Sequence, residues 1–155
     1  MPARLLKKKN KGRVLVAVSG GVDSAAAAAL LLRQGYEVAG VFLHFWKDPS
    51  ASAAENKCCS LAAMNDAKAV CRQLGIPFHS FDFSVPFKEA VVDYFLEEYA
   101  AGRTPNPCVV CNRRVKIGRL LEYARGLGYD YLATGHYVRV AKSGRSFEMR
   151  RGLDK

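Results

Sequence analysis

Two stretches of this 155-residue chain hold side chains whose types and spacing suit chemistry. The first is Ser19-Gly-Gly-Val-Asp-Ser24, which follows the apolar run Val14–Val18 and precedes an Ala/Leu run. A strand, a tight glycine turn and a helix in that order make a phosphate site, because a helix N-terminus carries unpaired N–H groups and a partial positive charge. Gly20 and Gly21 let the backbone approach an anion closely. Ser19 and Ser24 add hydroxyl donors. The turn lacks the lysine of a Walker loop and the spacing of a dinucleotide fingerprint, which excludes both. The second stretch is Gly102-Arg-Thr-Pro-Asn-Pro-Cys-Val-Val-Cys-Asn-Arg-Arg-Val-Lys116. Its prolines stiffen a loop. Asn112 reads as a helix N-cap, so Cys111 is expected just before a helix N-terminus, beside Arg113, Arg114 and Lys116. That setting stabilises a thiolate and makes Cys111 a candidate nucleophile. Spacing alone leaves three readings of the Cys108-x-x-Cys111 pair. It is a pair of redox or sulfur-transfer thiols, half of an iron–sulfur or zinc site completed by Cys58, Cys59 or Cys71, or two structural cysteines. The absence of a second Cys-x-x-Cys weakens a zinc ribbon.

The elements that must position these groups follow from hydrophobic periodicity and stop signals. Strands are expected at Arg13–Ser19, Glu37–Phe45, Ile76–Phe83 and Tyr129–Thr134. A helix over Ser24–Gln34 stops at Gly35. One over Cys59–Leu74 carries Leu61, Met64, Ala67, Val70, Cys71 and Leu74 and stops at Gly75. Ser84 caps a third, with Pro86 in its first turn and a stripe of Phe87, Val91, Val92, Phe95 and Tyr99. A fourth runs from Asn112 to Leu127, with Ile117, Leu120, Leu121, Ala124 and Leu127 inward. Tyr137–Ala141 and Arg145–Arg150 alternate around Ser143-Gly144, a hairpin signal. Alternating strands and helices predict an α/β fold, a doubly wound parallel sheet with helices on both faces, ending in a β-hairpin. Ligands in such folds sit at strand carboxyl ends. Three are chemically notable here: Ser19–Ser24, Leu43–Trp46 and Thr134–Tyr137. His44 and Trp46 are open to lining a nucleotide pocket, with aromatic burial the plainer reading. Cys71 reads as core and His79 as structural. Residues 1–12 form a basic arm and residues 13–155 one domain, expected to be cut short because no C-terminal element follows Arg151.

The chain carries a net charge of +10. Met1–Arg13, Gly102–Arg119 and Val138–Lys155 concentrate the basic residues, a pattern that favours an anionic partner, nucleic acid first. No apolar run approaches the ~20 residues of a membrane helix, and no membrane partner is expected. Five cysteines without an export signal point to a reducing cytoplasm, with thiols kept for chemistry or metal.

Ser-Gly-Gly-Val-Asp-Ser after an apolar strand resembles the pyrophosphate loop of the ATP pyrophosphatases, also called PP-loop or adenine nucleotide alpha-hydrolase-like proteins. Further motifs narrow the likeness: Cys58-Cys59, Leu74-Gly-Ile-Pro77, Asp82-Phe-Ser84, Gly102-Arg-Thr-Pro-Asn-Pro-Cys-Val-Val-Cys-Asn112 and Ala133-Thr-Gly-His-Tyr-Val-Arg139. Together they resemble the tRNA-specific 2-thiouridylases, and the Asn-Pro-x-x-x-Cys-Asn loop is the discriminating part.

The resemblance implies that ATP adenylates the C2 oxygen of a wobble uridine in tRNA, after which a persulfide sulfur displaces AMP. It implies ATP contacts from Ala17, Val18, Ser19, Gly20, Gly21, Val22, Asp23, Ser24, Leu43 and Gly135; Asp23 is placed either to help orient Mg2+ or to stabilise the loop. It places Asn106, Pro107 and Cys108 against the target base, His136 on tRNA, and Cys111 at the family's nucleophile position. A persulfide donor or relay protein and a disulfide bond belong to the same expectation. Many members carry Asp where this chain has Cys108, which keeps a catalytic role for Cys108 and an iron–sulfur or zinc site at Cys108 and Cys111 both open. The family's persulfide-carrying cysteine and further tRNA-gripping domains lie in a part this sequence lacks. The rival expectations are another ATP pyrophosphatase that amidates or ligates, and a non-catalytic nucleotide- or RNA-binding fragment.

Overall fold

The computed structural model describes residues 11–45 and 60–153. Four parallel strands form the sheet: β1 (Arg13–Ala17), β2 (Glu37–His44), β3 (Phe78–Asp82) and β4 (Tyr131–Ala133). Their spatial order is β3-β2-β1-β4. Leu15 pairs with Ala39 on one side and Leu132 on the other, so β1 is central. Val14, Leu15 and Val16 are all buried. A central parallel strand is covered on both faces, which is why its sequence is an unbroken apolar run.

The two faces have separate cores. On one, Val14, Val16, Val18, Val38 and Phe42 pack with Ala28 of α1 (Val22–Gln34) and Ala67 and Cys71 of α2 (Leu61–Leu74). On the other, Leu15, Ala39, Val41 and Leu43 pack with Phe83 and two later helices. The doubly wound arrangement expected from the sequence is therefore present. Gly40 sits mid-strand because a Cβ there would overlap the Cys71 sulfur. β5 (Val138–Ser143) and β6 (Ser146–Arg151) form the expected antiparallel hairpin. Its turn is Gly144-Arg145, with Gly144 at a φ of 59°.

The helix over residues 84–100 (α3) comprises Ser84–Phe87, a wide π turn at Lys88–Val92, and Asp93–Ala100. Ser84 is its first helical residue, not its cap. The Asp82 carboxylate takes the Ser84 N–H at 2.8 Å, and hydrogen bonding from Ser84, its hydroxyl first and this N–H second, draws the Asp82 pKa below the usual carboxylate range. The helix over residues 107–126 (α4) comprises Pro107–Val110, a π segment at Cys111–Arg119, and Leu120–Gly126. Its cap lies six residues earlier than the one expected at Asn112. Asn106 is the cap, its side chain accepting from Val109 N–H at 3.1 Å, and Pro107 takes the first helical position. α4 buries Cys111, Val115, Leu120 and Ala124. The step from Val115 to Leu120 is five residues, one more than an α-turn gives, because the backbone there bonds i to i+5. Ile117 and Leu127, expected inward, are consequently exposed. α2 begins at Leu61 under a Ser60 cap rather than at Cys59. Leu61 is exposed although the periodicity put it inward.

Candidate functional site

The chain reverses direction at β1: β2 and β3 lie on one side of it and β4 on the other. This switch point opens a crevice at the carboxyl ends of β1 and β4. Ser19–Ser24 leaves β1 there, and Thr134–Tyr137 leaves β4. Of the expected nucleotide residues, Ala17 and Val18 end the strand, Ser19 through Asp23 form the turn and the start of α1, and Ser24 is buried beneath.

Ser24 shapes this loop. Its hydroxyl donates to the Gly21 carbonyl at 3.0 Å and accepts from Ser19 N–H at 3.2 Å. With its one proton used, it accepts from the Ser19 hydroxyl at 3.4 Å, and the Ser19 oxygen lies 3.4 Å from Gly21 N–H. Gly20 has a φ of 83°, and a Cβ there would lie 2.7 Å from the Ala63 carbonyl in the first turn of α2. Gly135 closes the far side: its Cβ would lie 2.7 Å from Ser24 N and 3.0 Å from the Asp23 carbonyl carbon. Only glycine permits that approach, so β4 and the N-terminus of α1 meet backbone to backbone.

Next to the loop lies a cleft of about 440 Å³, lined among others by Asp23, Leu30, Thr134, His136, Tyr137 and Leu153. His136 is exposed, its Nδ1 2.7 Å from the Thr134 hydroxyl. The Tyr137 hydroxyl donates to the Asp23 carboxylate at 3.1 Å, tying the hairpin's root to the loop. Sequence reasoning marked Thr134–Tyr137 as a strand end of interest but assigned nothing to Thr134 or Tyr137. A polar residue beside the Gly-His pair was the available signal.

Leu43, next to last in β2, lies in the core cluster that also contains Cys111. Cys111 does not sit before a helix N-terminus. It lies one turn inside α4, 8% exposed, against Phe83, Val91 and Val115. The thiol in the first turn of α4, exposed and nearest to the N–H groups of that helix end, is Cys108. Asn106 and Cys108 are exposed and Pro107 is half-buried, so the three expected base contacts share one surface. Cys71 lies on the opposite face of the sheet, where burial pushes its thiol pKa up. Trp46, Cys58 and Cys59 fall outside the described residues.

Among the described residues no three His, Cys, Asp or Glu side chains converge as a metal site. Cys108 and Cys111 point to different surroundings, one exposed and one in the core, and the described residues do not assemble an iron–sulfur or zinc site. Magnesium is less demanding, since it takes one or two carboxylates plus phosphate oxygens. Asp23, exposed at the loop, fits that donor set. Among the described residues no helix is long and apolar enough to cross a membrane.

A glycine loop at the switch point of a parallel sheet, with a second glycine closing on its helix, defines a PP-loop α/β protein. Two solved structures share this fold, each with a TM-score of 0.52. One is a "predicted subunit of tRNA methyltransferase" from Methanocaldococcus jannaschii, 20% identical, covering 81% of this chain and 53% of that one. The other is glutamine-dependent NAD+ synthetase from Acinetobacter baumannii in complex with ADP, 19% identical, covering 81% of this chain and 22% of that one.

The chain belongs to the family whose model is described as "tRNA methyl transferase HUP domain", which matches residues 12–155, and the curated relatives it is similar to are tRNA-specific 2-thiouridylases. The tRNA-specific 2-thiouridylase MnmA of Carboxydothermus hydrogenoformans is 54% identical over 131 residues, 83% of this chain and 36% of the relative. That of Roseiflexus castenholzii is 51% identical over 128 residues, 83% of this chain and 34% of the relative. That of Clostridium perfringens is 46% identical over 145 residues, 93% of this chain and 40% of the relative. The chain thus spans about a third of the length of the curated relatives it matches.

Proposed function

We propose that this chain is the ATP-binding domain of a tRNA uridine 2-sulfurtransferase. The observation that carries the reading is the closed loop, in which Gly135 meets Ser24 N over Ser19–Ser24 at the sheet's switch point. There the N–H groups of the loop and of the α1 N-terminus hold the phosphates where charge develops as pyrophosphate departs. Leu43, near the end of β2, contacts the adenine through its backbone. Mg2+, held by Asp23 and phosphate oxygens, would offset phosphate charge.

The oxygen at C2 of the uridine is a poor leaving group, and adenylation converts it into AMP, a good one. Asn106, Pro107 and Cys108 hold the target base at the exposed start of α4, and His136 contacts the tRNA. The outer sulfur of a persulfide on a donor or relay protein then attacks C2 and AMP departs; a thiol, Cys111 as the family's or Cys108 as the exposed one beside the base, next attacks the carrier sulfur, forming a disulfide with it and leaving the outer sulfur on C2 as 2-thiouridine. A packed Cys111 requires the first turns of α4 to yield before it reacts. The cytoplasm is where such a thiol-dependent step is at home.

The test supplies tRNA, ATP, Mg2+ and a sulfide donor, and follows AMP and 2-thiouridine. ATP binding by this chain and tRNA-dependent AMP release support the reading. AMP release that ignores tRNA overturns it in favour of an amidating or ligating relative. Binding of ATP or RNA with no AMP release, in this chain and in one extended to the relatives' length, leaves a binding module only.

A further inference from the structure

We propose that the groove between α3 and α4 is a docking site for a backbone phosphate of RNA, held by Arg114 and Arg119. This rests on the tRNA reading above and adds a surface to it. The groove encloses about 210 Å³ and is lined by Pro86, Glu89, Ala90, Arg114, Val115 and Arg119. Its floor is Ala90 and the buried Val115, and both arginines are exposed.

The wide turns create the pair. In an α-helix two residues five apart point about 140° away from each other. In a π segment bonded i to i+5 the fifth residue stands over the first. Cys111–Arg119 is such a segment, so Arg114 and Arg119 both reach the groove. Lys88–Val92, also π, supplies Glu89 and Ala90 from the facing helix. Two cations brought onto one face repel. Of the lining residues Glu89 alone is acidic, which leaves the groove net positive. The ion pairs found among the described residues involve neither arginine nor Glu89. A phosphate oxygen pair matches the guanidinium fork and relieves the repulsion.

Placement favours a polymer over a free anion. The groove meets α4 at its middle and α3 in its first two turns, where Pro86 has no N–H to offer, so the two guanidinium groups are its main attraction for an anion. At ~1.5 Å per residue Arg114 lies roughly 9 Å and Arg119 roughly 16 Å along the helix from Cys108, a span of a few nucleotides in a stacked strand. A base at Asn106–Cys108 would thus carry its own backbone past the groove.

Equilibrium binding of an unmodified tRNA transcript to this chain, measured from about 50 to about 200 mM salt, tests the proposal. Each phosphate contact contributes about 0.9 to the slope of log K against log salt. Changing Arg114→Gln and Arg119→Gln together removes one phosphate contact and should flatten the slope by about 0.9, so wild type loses about three- to fourfold more affinity than the variant across that range. Arg114→Lys with Arg119→Lys should keep most of the slope. Arg125→Gln, which removes one such charge elsewhere on α4, should leave it unaltered, and ATP binding should be unaffected throughout. A slope unchanged in the double glutamine variant, or equally changed by Arg125→Gln, overturns the site. Loss of ATP binding with an intact tRNA slope overturns it too, assigning the groove to nucleotide. A wild-type chain that binds ATP but no tRNA at any salt instead overturns the tRNA reading, and this proposal with it.

Discussion

Adding one methyl group at Gly135 should disrupt both folding and nucleotide binding. In Gly135→Ala the new Cβ would meet Ser24 N at 2.7 Å, the Asp23 carbonyl carbon at 3.0 Å and Asp23 Cβ at 3.1 Å. Ordinary contacts of this kind lie near 3.5 Å or beyond. Two of the three atoms are backbone in the first turn of α1, so no side-chain rotation relieves the overlap. The strand-end segment Thr134–Gly135 must lift by several tenths of an ångström from the helix start it closes. Overpacking of this sort costs about 1–3 kcal/mol. At ~2–4 °C per kcal/mol for a domain of this size, the melting temperature should fall by about 2–12 °C. The affinity for ATP should fall as well, because the displaced segment is one wall of the loop. Gly126→Ala makes the same chemical change at a helical glycine with nothing within 4 Å of its Cβ. It should stabilise by about 0.5–1 kcal/mol through the unfolded chain and leave ATP binding alone. Differential scanning calorimetry and titration calorimetry with a non-hydrolysable ATP analogue read both effects. Wild-type stability and affinity in Gly135→Ala would refute the close-approach argument.

The remaining expectations concern packing, capping and thiols. Gly40→Ala should destabilise by about 1–3 kcal/mol through overlap with the Cys71 sulfur, and Cys71→Ala on top should recover part of that, giving a favourable coupling in a double-mutant cycle. Asn106→Ala removes the cap of α4 and should cost about 1 kcal/mol in denaturant unfolding. Burial raises the Cys71 pKa, so the folded state keeps that proton while the unfolded state loses it above about 8.5. Stability should therefore fall as pH rises past that value, and Cys71→Ala should lessen the fall. Iodoacetamide followed by peptide mass mapping should label Cys108 promptly and Cys71 only after unfolding.

Much of the sheet was legible because its signals are local. Val14–Val18 announces a strand covered on both faces, and Gly35 and Gly75 adopt the left-handed caps expected at the ends of α1 and α2. The strand–glycine turn–helix arrangement at Ser19–Ser24 was legible for the same reason, since its parts adjoin in sequence. The surroundings of the cysteines were not. Asn106 and Asn112 are both good caps, and only the Asn106–Val109 hydrogen bond decides between them. A heptad-like reading also assumes one constant helical period, whereas α4 changes period midway. It therefore put Ile117 inward and missed Val115. Contacts across the fold, such as Tyr137 to Asp23, 114 residues apart, leave no periodic trace at all.

The glycine loop is braced from within by the Ser24 hydroxyl, below Gly20 by the Ala63 carbonyl, and across Ser24 by Gly135. It carries no lysine between Ser19 and Ser24. As proposed, its attraction for an anion would come mainly from peptide N–H groups and the end of α1, and those groups do not titrate. A site built on lysine weakens as pH climbs toward ~10 and is silenced when the amine is acylated. Here neither alkaline pH nor lysine acylation reaches the contacting groups. On the proposed reading, the loop's affinity for phosphate rests chiefly on backbone position, so a change that moves the backbone should tune it most.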